Sequence, residues 1–143
     1  MATQVQTEAR LEVVPDVDEI RRDIVQTLGF VPTLLREMEY EPVLLDRMWT
    51  MMKKYTLGES HIPPKYRELT GVAVAASLHC RYCVMFHSEA ARMFGATEEE
   101  IREAGALAQY TAGGSAFADS RLLDLDTLRD EMRRIGEHMA SRP

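Results

Sequence analysis

A chain of 143 residues, 45% apolar and 28% charged, is one domain's worth of sequence, with enough apolar side chain to bury a core without covalent staples. Its net charge of −6 argues against nucleic acid or an anionic membrane surface as a partner, because phosphate binding needs a basic stripe and none is present. The longest apolar stretch, Leu69 to Leu78, falls far short of the roughly 20 residues of a bilayer span, and the polar start from Met1 to Arg10 holds no apolar signal core, so cytoplasmic residence is expected.

Residues 1–15 read as an N-terminal arm ending at Pro15, and residues 16–143 as a single helical domain. Asp16 and Asp18 offer N-caps for a helix from about Asp18 to Leu28, which Gly29 closes. Pro32 starts a short second helix carrying Leu34, Leu35 and Met38. Pro42 opens a third, running to about Leu57 and stopping at Gly58. On it Leu44, Leu45, Met48, Trp49, Met51, Met52 and Tyr55 cover more than one core-facing stripe needs. That width fits either a deeply buried helix with methionines filling gaps or a second apolar face, around Met48, Trp49 and Met52, packed on another subunit.

Pro63 and Pro64 begin the next helix, and a further one is expected from about Cys80 to Phe94, ended by Gly95. Thr97-Glu98-Glu99-Glu100 is a capping box that opens a helix to about Tyr110. The small-residue run Ala112-Gly113-Gly114-Ser115-Ala116 permits a close helix contact or a break. Asp124 or Asp126 caps a last amphipathic helix through Leu128, Met132 and Ile135. No segment alternates in the manner of a strand, so the fold is expected to be all-α.

Chemistry concentrates in one segment. The two cysteines of the chain are Cys80 and Cys83, too few for a secreted disulfide scaffold and, in a reducing cytosol, more often catalytic, redox-sensing or metal-binding than structural. On a helix, residues 80, 83 and 87 fall at i, i+3 and i+7, so Cys80, Cys83 and His87 share a face. A thiol attacks only as thiolate, and an imidazole one turn away lowers a cysteine pKa. Cys80 is close enough to condense with an oxidised Cys83. The set therefore holds a nucleophile, a base and a resolving thiol. A zinc-bound helical interaction module, with His79 or Glu68 as fourth ligand to Cys80, Cys83 and His87, stays open beside it, as do two ordinary core cysteines. A thioredoxin-type site would need a strand before Cys80, and haem attachment a histidine in place of Val84. His61 and His138 lack an evident partner and are expected at the surface. Arg81 lies beside the thiols as an exposed charge or a thiolate neighbour.

Glu68, eleven residues, then Cys-x-x-Cys-x-x-x-His resembles the alkylhydroperoxidase D-like branch of the carboxymuconolactone decarboxylase family. Gly29-Phe30-Val31-Pro32, Pro63-Pro64-Lys65-Tyr66-Arg67-Glu68 and Gly95-Ala96-Thr97-Glu98-Glu99-Glu100-Ile101 extend the similarity over roughly Phe30 to Ile101. The resemblance implies a helical bundle of about six to eight helices, a trimer or hexamer, and hydroperoxide reduction without a bound cofactor or metal, with a dithiol protein or small thiol as reductant. It implies Cys83 as the attacking, sulfenic-acid-forming thiol, Cys80 as proton donor and resolving thiol, and Glu68 with His87 as the proton relay. Cys83 is thereby expected to be the lower-pKa thiol. The chain departs from the best-studied peroxidases of that branch at Tyr82, where they carry a histidine; a neutral phenol is no base near neutral pH. The decarboxylase branch, a lyase alternative, typically works without the cysteine pair.

The relay also makes a structural demand. Glu68 and Cys80 would be about 18 Å apart on one unbroken helix at about 1.5 Å per residue, although nothing between Ala75 and Cys80 is a Gly or Pro. A break is therefore expected near Ser77 to His79, folding the first helix back so that Glu68 reaches His87.

Overall fold

Asp16 accepts a hydrogen bond from the Asp18 N–H at 2.9 Å and so caps the first helix, α1 (Val17–Leu28), one residue earlier than its charge pattern alone suggests. The computed structural model describes residues 14–142, so the arm expected over 1–15 lies almost wholly outside the described residues. Six helices follow α1: α2 (Thr33–Arg36), α3 (Pro42–Met52), α4 (Pro64–Ser77), α5 (Arg81–Met93), α6 (Glu98–Ser120) and α7 (Leu125–Ala140). Among the described residues there is no strand, and the fold is all-α. The chain divides into two compact units, one up to His61 and one from Ile62.

In the first unit, Ile20 and Ile24 of α1, Leu35 of α2, and Leu45 and Trp49 of α3 form the buried cluster. Each of the longer helices contributes an i, i+4 pair, the spacing that stacks two side chains on one face. Gly29 ends α1 at φ 85°, a left-handed conformation that a glycine adopts without steric cost. The Trp49 indole N–H donates to Asp23 at 2.8 Å, giving the buried ring the partner its polar edge needs. Lys53 donates to the same carboxylate. Past Met52 the helix widens into a π-helical turn over Lys53–Leu57 before Gly58 stops it.

The proposed subunit face on α3 is corrected by this packing. Trp49 is core, and Met48 and Met52 pack against that core. Of the seven apolar positions, Leu44, Met51 and Tyr55 are exposed. The seven apolar positions therefore split into an inner stripe and an outer one, and the outer one lacks the residues assigned to it.

In the second unit α4 packs on both α5 and α6. The buried contacts are mostly small: Val72 and Ala75 of α4, Ser88 and Ala91 of α5, Ala104 and Ala108 of α6. Small side chains let helix backbones approach closely. Thr97 and Glu100 form the reciprocal capping box at the start of α6, and Lys65 of α4 ties to Glu100 at 2.8 Å. Instead of ending near Tyr110, α6 runs through Ala112-Gly113-Gly114-Ser115-Ala116 to Ser120. No proline interrupts the run, and each glycine costs about 1 kcal/mol relative to alanine, too little to break a helix with good formers on both sides. Nothing lies within 4 Å of a Cβ placed at Gly113 or Gly114, so neither a break nor a close contact explains them.

Asp124 caps α7 by accepting from the Thr127 N–H at 2.7 Å. Its apolar side chains Leu125, Leu128, Met132, Ile135 and Met139, spaced at three or four residues, are all exposed. Among the described residues no helix is long and apolar enough to cross a membrane.

Candidate functional site

The expected interruption before the cysteines is present. α4 ends at Ser77 and α5 begins at Arg81. His79 adopts φ 57°, its N–H reaches Ala76 O at 3.0 Å, and the Cys80 N–H reaches Ala75 O at 3.0 Å. These two bonds make the paired closure of a left-handed C-terminal cap, a position usually filled by glycine. Here a histidine occupies it, which is why no Gly or Pro marked the break. His79→Gly is expected to raise stability by about 0.5–1 kcal/mol, because the left-handed strain exceeds the added freedom of the unfolded chain. Urea unfolding measures this; a loss of stability instead would mean that the imidazole makes a contact offsetting the strain.

Having closed α4 with its amide, Cys80 caps α5 with its sulfur, which accepts from the Cys83 N–H at 3.3 Å. Cys80 is thus not on the helix face that the i, i+3, i+7 spacing assigns to it. It sits just off the helix end, where free N–H groups and the helix dipole favour negative charge. The two sulfurs are 2.7 Å apart; both cysteines are free and half-buried. The Cys83 thiol and then its N–H, both donating to Cys80, hold the Cys80 pKa below that of an ordinary thiol. The same bond to Cys80, then burial and the neighbouring charge, push the Cys83 pKa up. The hydrogen bonds from Cys83 thus favour negative charge on Cys80. This direction runs against the expectation that Cys83 is the lower-pKa thiol, because the Cys83 thiol and amide both converge on the Cys80 sulfur.

The turn also folds α4 back against α5, bringing Glu68 to His87. Glu68 is 1% exposed, and its Oε2 lies 2.7 Å from His87 Nδ1. A carboxylate only accepts, so Nδ1 donates and Nε2 is the ring nitrogen left free of Glu68. Phe86 meets the imidazole edge-on, with centroids 5.1 Å apart. His87 is one helical turn from Cys83 on α5.

Glu68, Cys80, Cys83 and His87 thus resolve into two contacting pairs on adjacent helices. Among the described residues no three His, Cys, Asp or Glu side chains converge on a common point to hold a metal ion. Tyr82 and Arg81 are exposed beside the thiols, and His61 and His138 are exposed elsewhere. An open apolar groove between α4 and α6, lined by Leu69, Ala73, Leu107 and Ala108 among others, holds no thiol or imidazole. Sequence reasoning passed over Gly71. Its signal was a lone glycine inside a run of helix formers, which marks a close approach of another group.

An all-helical chain whose paired thiols lie at a helix start beside a carboxylate-backed imidazole defines a class of dithiol proteins. The sequence profile of the carboxymuconolactone decarboxylase family matches residues 44–123, a span holding all four site residues. The chain belongs to the carboxymuconolactone decarboxylase family, in its alkylhydroperoxidase D-like branch. The crystal structure of the alkylhydroperoxidase AhpD core from Rhodospirillum rubrum is similar to it with a TM-score of 0.69 and 28% identity, over 83% of this chain and 96% of that one. Uncharacterized protein 4 in the cox locus of Paracoccus denitrificans is 31% identical over 74 residues, 52% of this chain and 67% of that protein.

Proposed function

We propose that the protein is a thiol-dependent peroxidase that reduces hydroperoxides through Cys80 and Cys83. The observation that carries this reading is the 2.7 Å approach of the two sulfurs at a helix start, with His87 held by Glu68 one turn along. The Cys80 thiolate takes the proton of Cys83 as the Cys83 sulfur attacks the outer peroxide oxygen. The O–O bond breaks, Cys83 becomes a sulfenic acid, and the alkoxide leaves as an alcohol with the proton returned by Cys80 or relayed through His87 Nε2. The Cys80 sulfur then displaces hydroxide from the sulfenic acid, giving a Cys80–Cys83 disulfide, and the hydroxide takes a proton from solvent to leave as water. A dithiol protein or two small thiols restore the pair by exchange, themselves becoming a disulfide.

The reading includes a homo-oligomer, a trimer or hexamer as the family resemblance implies, working in the cytoplasm. The exposed apolar side chains of α7 and Phe117 of α6 support assembly, since isolated amphipathic helices are marginal in water.

Counting free thiols tests the chemistry. One equivalent of an alkyl hydroperoxide is expected to remove both thiols of the wild type and to yield one equivalent of alcohol. Cys83→Ser is expected to lose its remaining thiol only slowly. A wild type that keeps both thiols while the peroxide persists would end this reading.

A further inference from the structure

Gly71 lies within α4, one turn beyond Glu68 and on the same face. A Cβ placed on it would stand 2.4 Å from His87 Nδ1, 2.5 Å from Cγ and 2.7 Å from Cε1. Real Cβ atoms essentially never come within 3.0 Å of another heavy atom. The group in the way is not the loose end of a long side chain. It is a planar ring anchored by the bond to the buried Glu68 and met edge-on by Phe86. The other glycines inside helices, Gly105, Gly113, Gly114 and Gly136, would meet nothing within 4 Å.

We infer that Gly71 is a positioning residue: its missing side chain is the slot that seats the His87 imidazole against α4, so that Nδ1 meets Glu68 and Nε2 is left for proton transfer. Only the use of Nε2 rests on the peroxidase reading; the slot rests on the geometry of α4 and α5. A helix pays for a glycine in stability, and here the ring occupies the volume an alanine methyl would take. An alanine at residue 71 forces the imidazole outward, and the bond to Glu68 opens.

The test compares Gly71→Ala with Gly105→Ala in the full chain. In the wild type and in Gly105→Ala, a hydrogen-bonded Nδ1–H proton of His87 is expected downfield in the NMR spectrum; in Gly71→Ala it is expected to disappear. The rate of thiol loss to peroxide is expected to fall about 10- to 100-fold in Gly71→Ala, since displacement by about 1 Å costs rates of that order, and to be unchanged in Gly105→Ala. Should Gly71→Ala fold poorly, the same substitution is made in a Glu68→Gln/His87→Ala background, where the slot is vacant. There it is expected to raise the melting midpoint, whereas in the wild-type background it lowers it. The same sign in both backgrounds, or a retained Nδ1–H signal in Gly71→Ala, would overturn the assignment. A wild type inert to peroxide would remove the peroxidase reading alone, because the proton signal and the reversal of sign do not depend on turnover.

Discussion

Alkylation at mildly acidic pH is expected to modify Cys80 before Cys83. Rate follows thiolate fraction, and the hydrogen bonds from the Cys83 thiol and amide lower the Cys80 pKa while the same contact raises that of Cys83. A lowered pKa keeps thiolate present as pH falls, so the rate–pH curve for Cys80 has its midpoint below that of an ordinary thiol, and that for Cys83 lies above it. A labelling preference for Cys80 is therefore expected by peptide mass spectrometry. Cys83→Ala deletes the thiol donor but keeps the amide, and should move the Cys80 midpoint part of the way back. Preferential labelling of Cys83 across the whole pH range would return the resting charge to the thiol that the family resemblance names as attacker.

Removing the imidazole is expected to cost more stability than removing either sulfur. His87→Ala leaves the Glu68 carboxylate, 1% exposed, with no partner among the hydrogen bonds described for it. Leaving a buried charged acceptor without its donor costs about 1–3 kcal/mol or more. The His87 side chain is itself 27% exposed, so water enters once it is gone, and about 2 kcal/mol is expected. Glu68→Gln/His87→Ala should recover a large part of this loss, because a neutral amide is cheaper to bury than a carboxylate. Urea unfolding of the wild type, the single variant and the double variant checks both statements. A His87→Ala protein within about 0.5 kcal/mol of the wild type, the range of ordinary surface substitutions, would show that Glu68 does not depend on His87.

Most helix starts were legible because short polar side chains and prolines announce them: Asp16, Pro32, Pro42, Pro64, Thr97 and Asp124 each stand where the structure begins a helix. Helix ends were less so. Gly29 and Gly95 both adopt positive φ at the ends expected of them, but the end of α4 rests on His79, whose residue type carries no such signal. That break was reached by a distance argument between Glu68 and Cys80, not by local preference. Cys80, Cys83 and His87 were singled out by spacing and Glu68 by the family resemblance, while the distribution of charge between the thiols followed from neither. It depends on Cys80 being a cap rather than a member of the helix, and a spacing rule assumes membership. The division of α3 into an inner and an outer stripe was equally hidden, since composition cannot say which of two apolar faces meets Ile20 and Ile24.

The sulfur of Cys80 belongs to two systems at once. As a cap it satisfies the Cys83 amide at the head of α5; in the proposed cycle it is also a sulfur that changes oxidation state. A disulfide sulfur carries no negative charge and accepts hydrogen bonds weakly, so each turnover would loosen the first turn of α5 and each reduction would tighten it again. Cap interactions are worth about 1 kcal/mol, so the fraying of one helix end becomes a record of oxidation state. An incoming reductant would meet a softer, more open amide edge on the oxidised protein than on the reduced one it leaves behind.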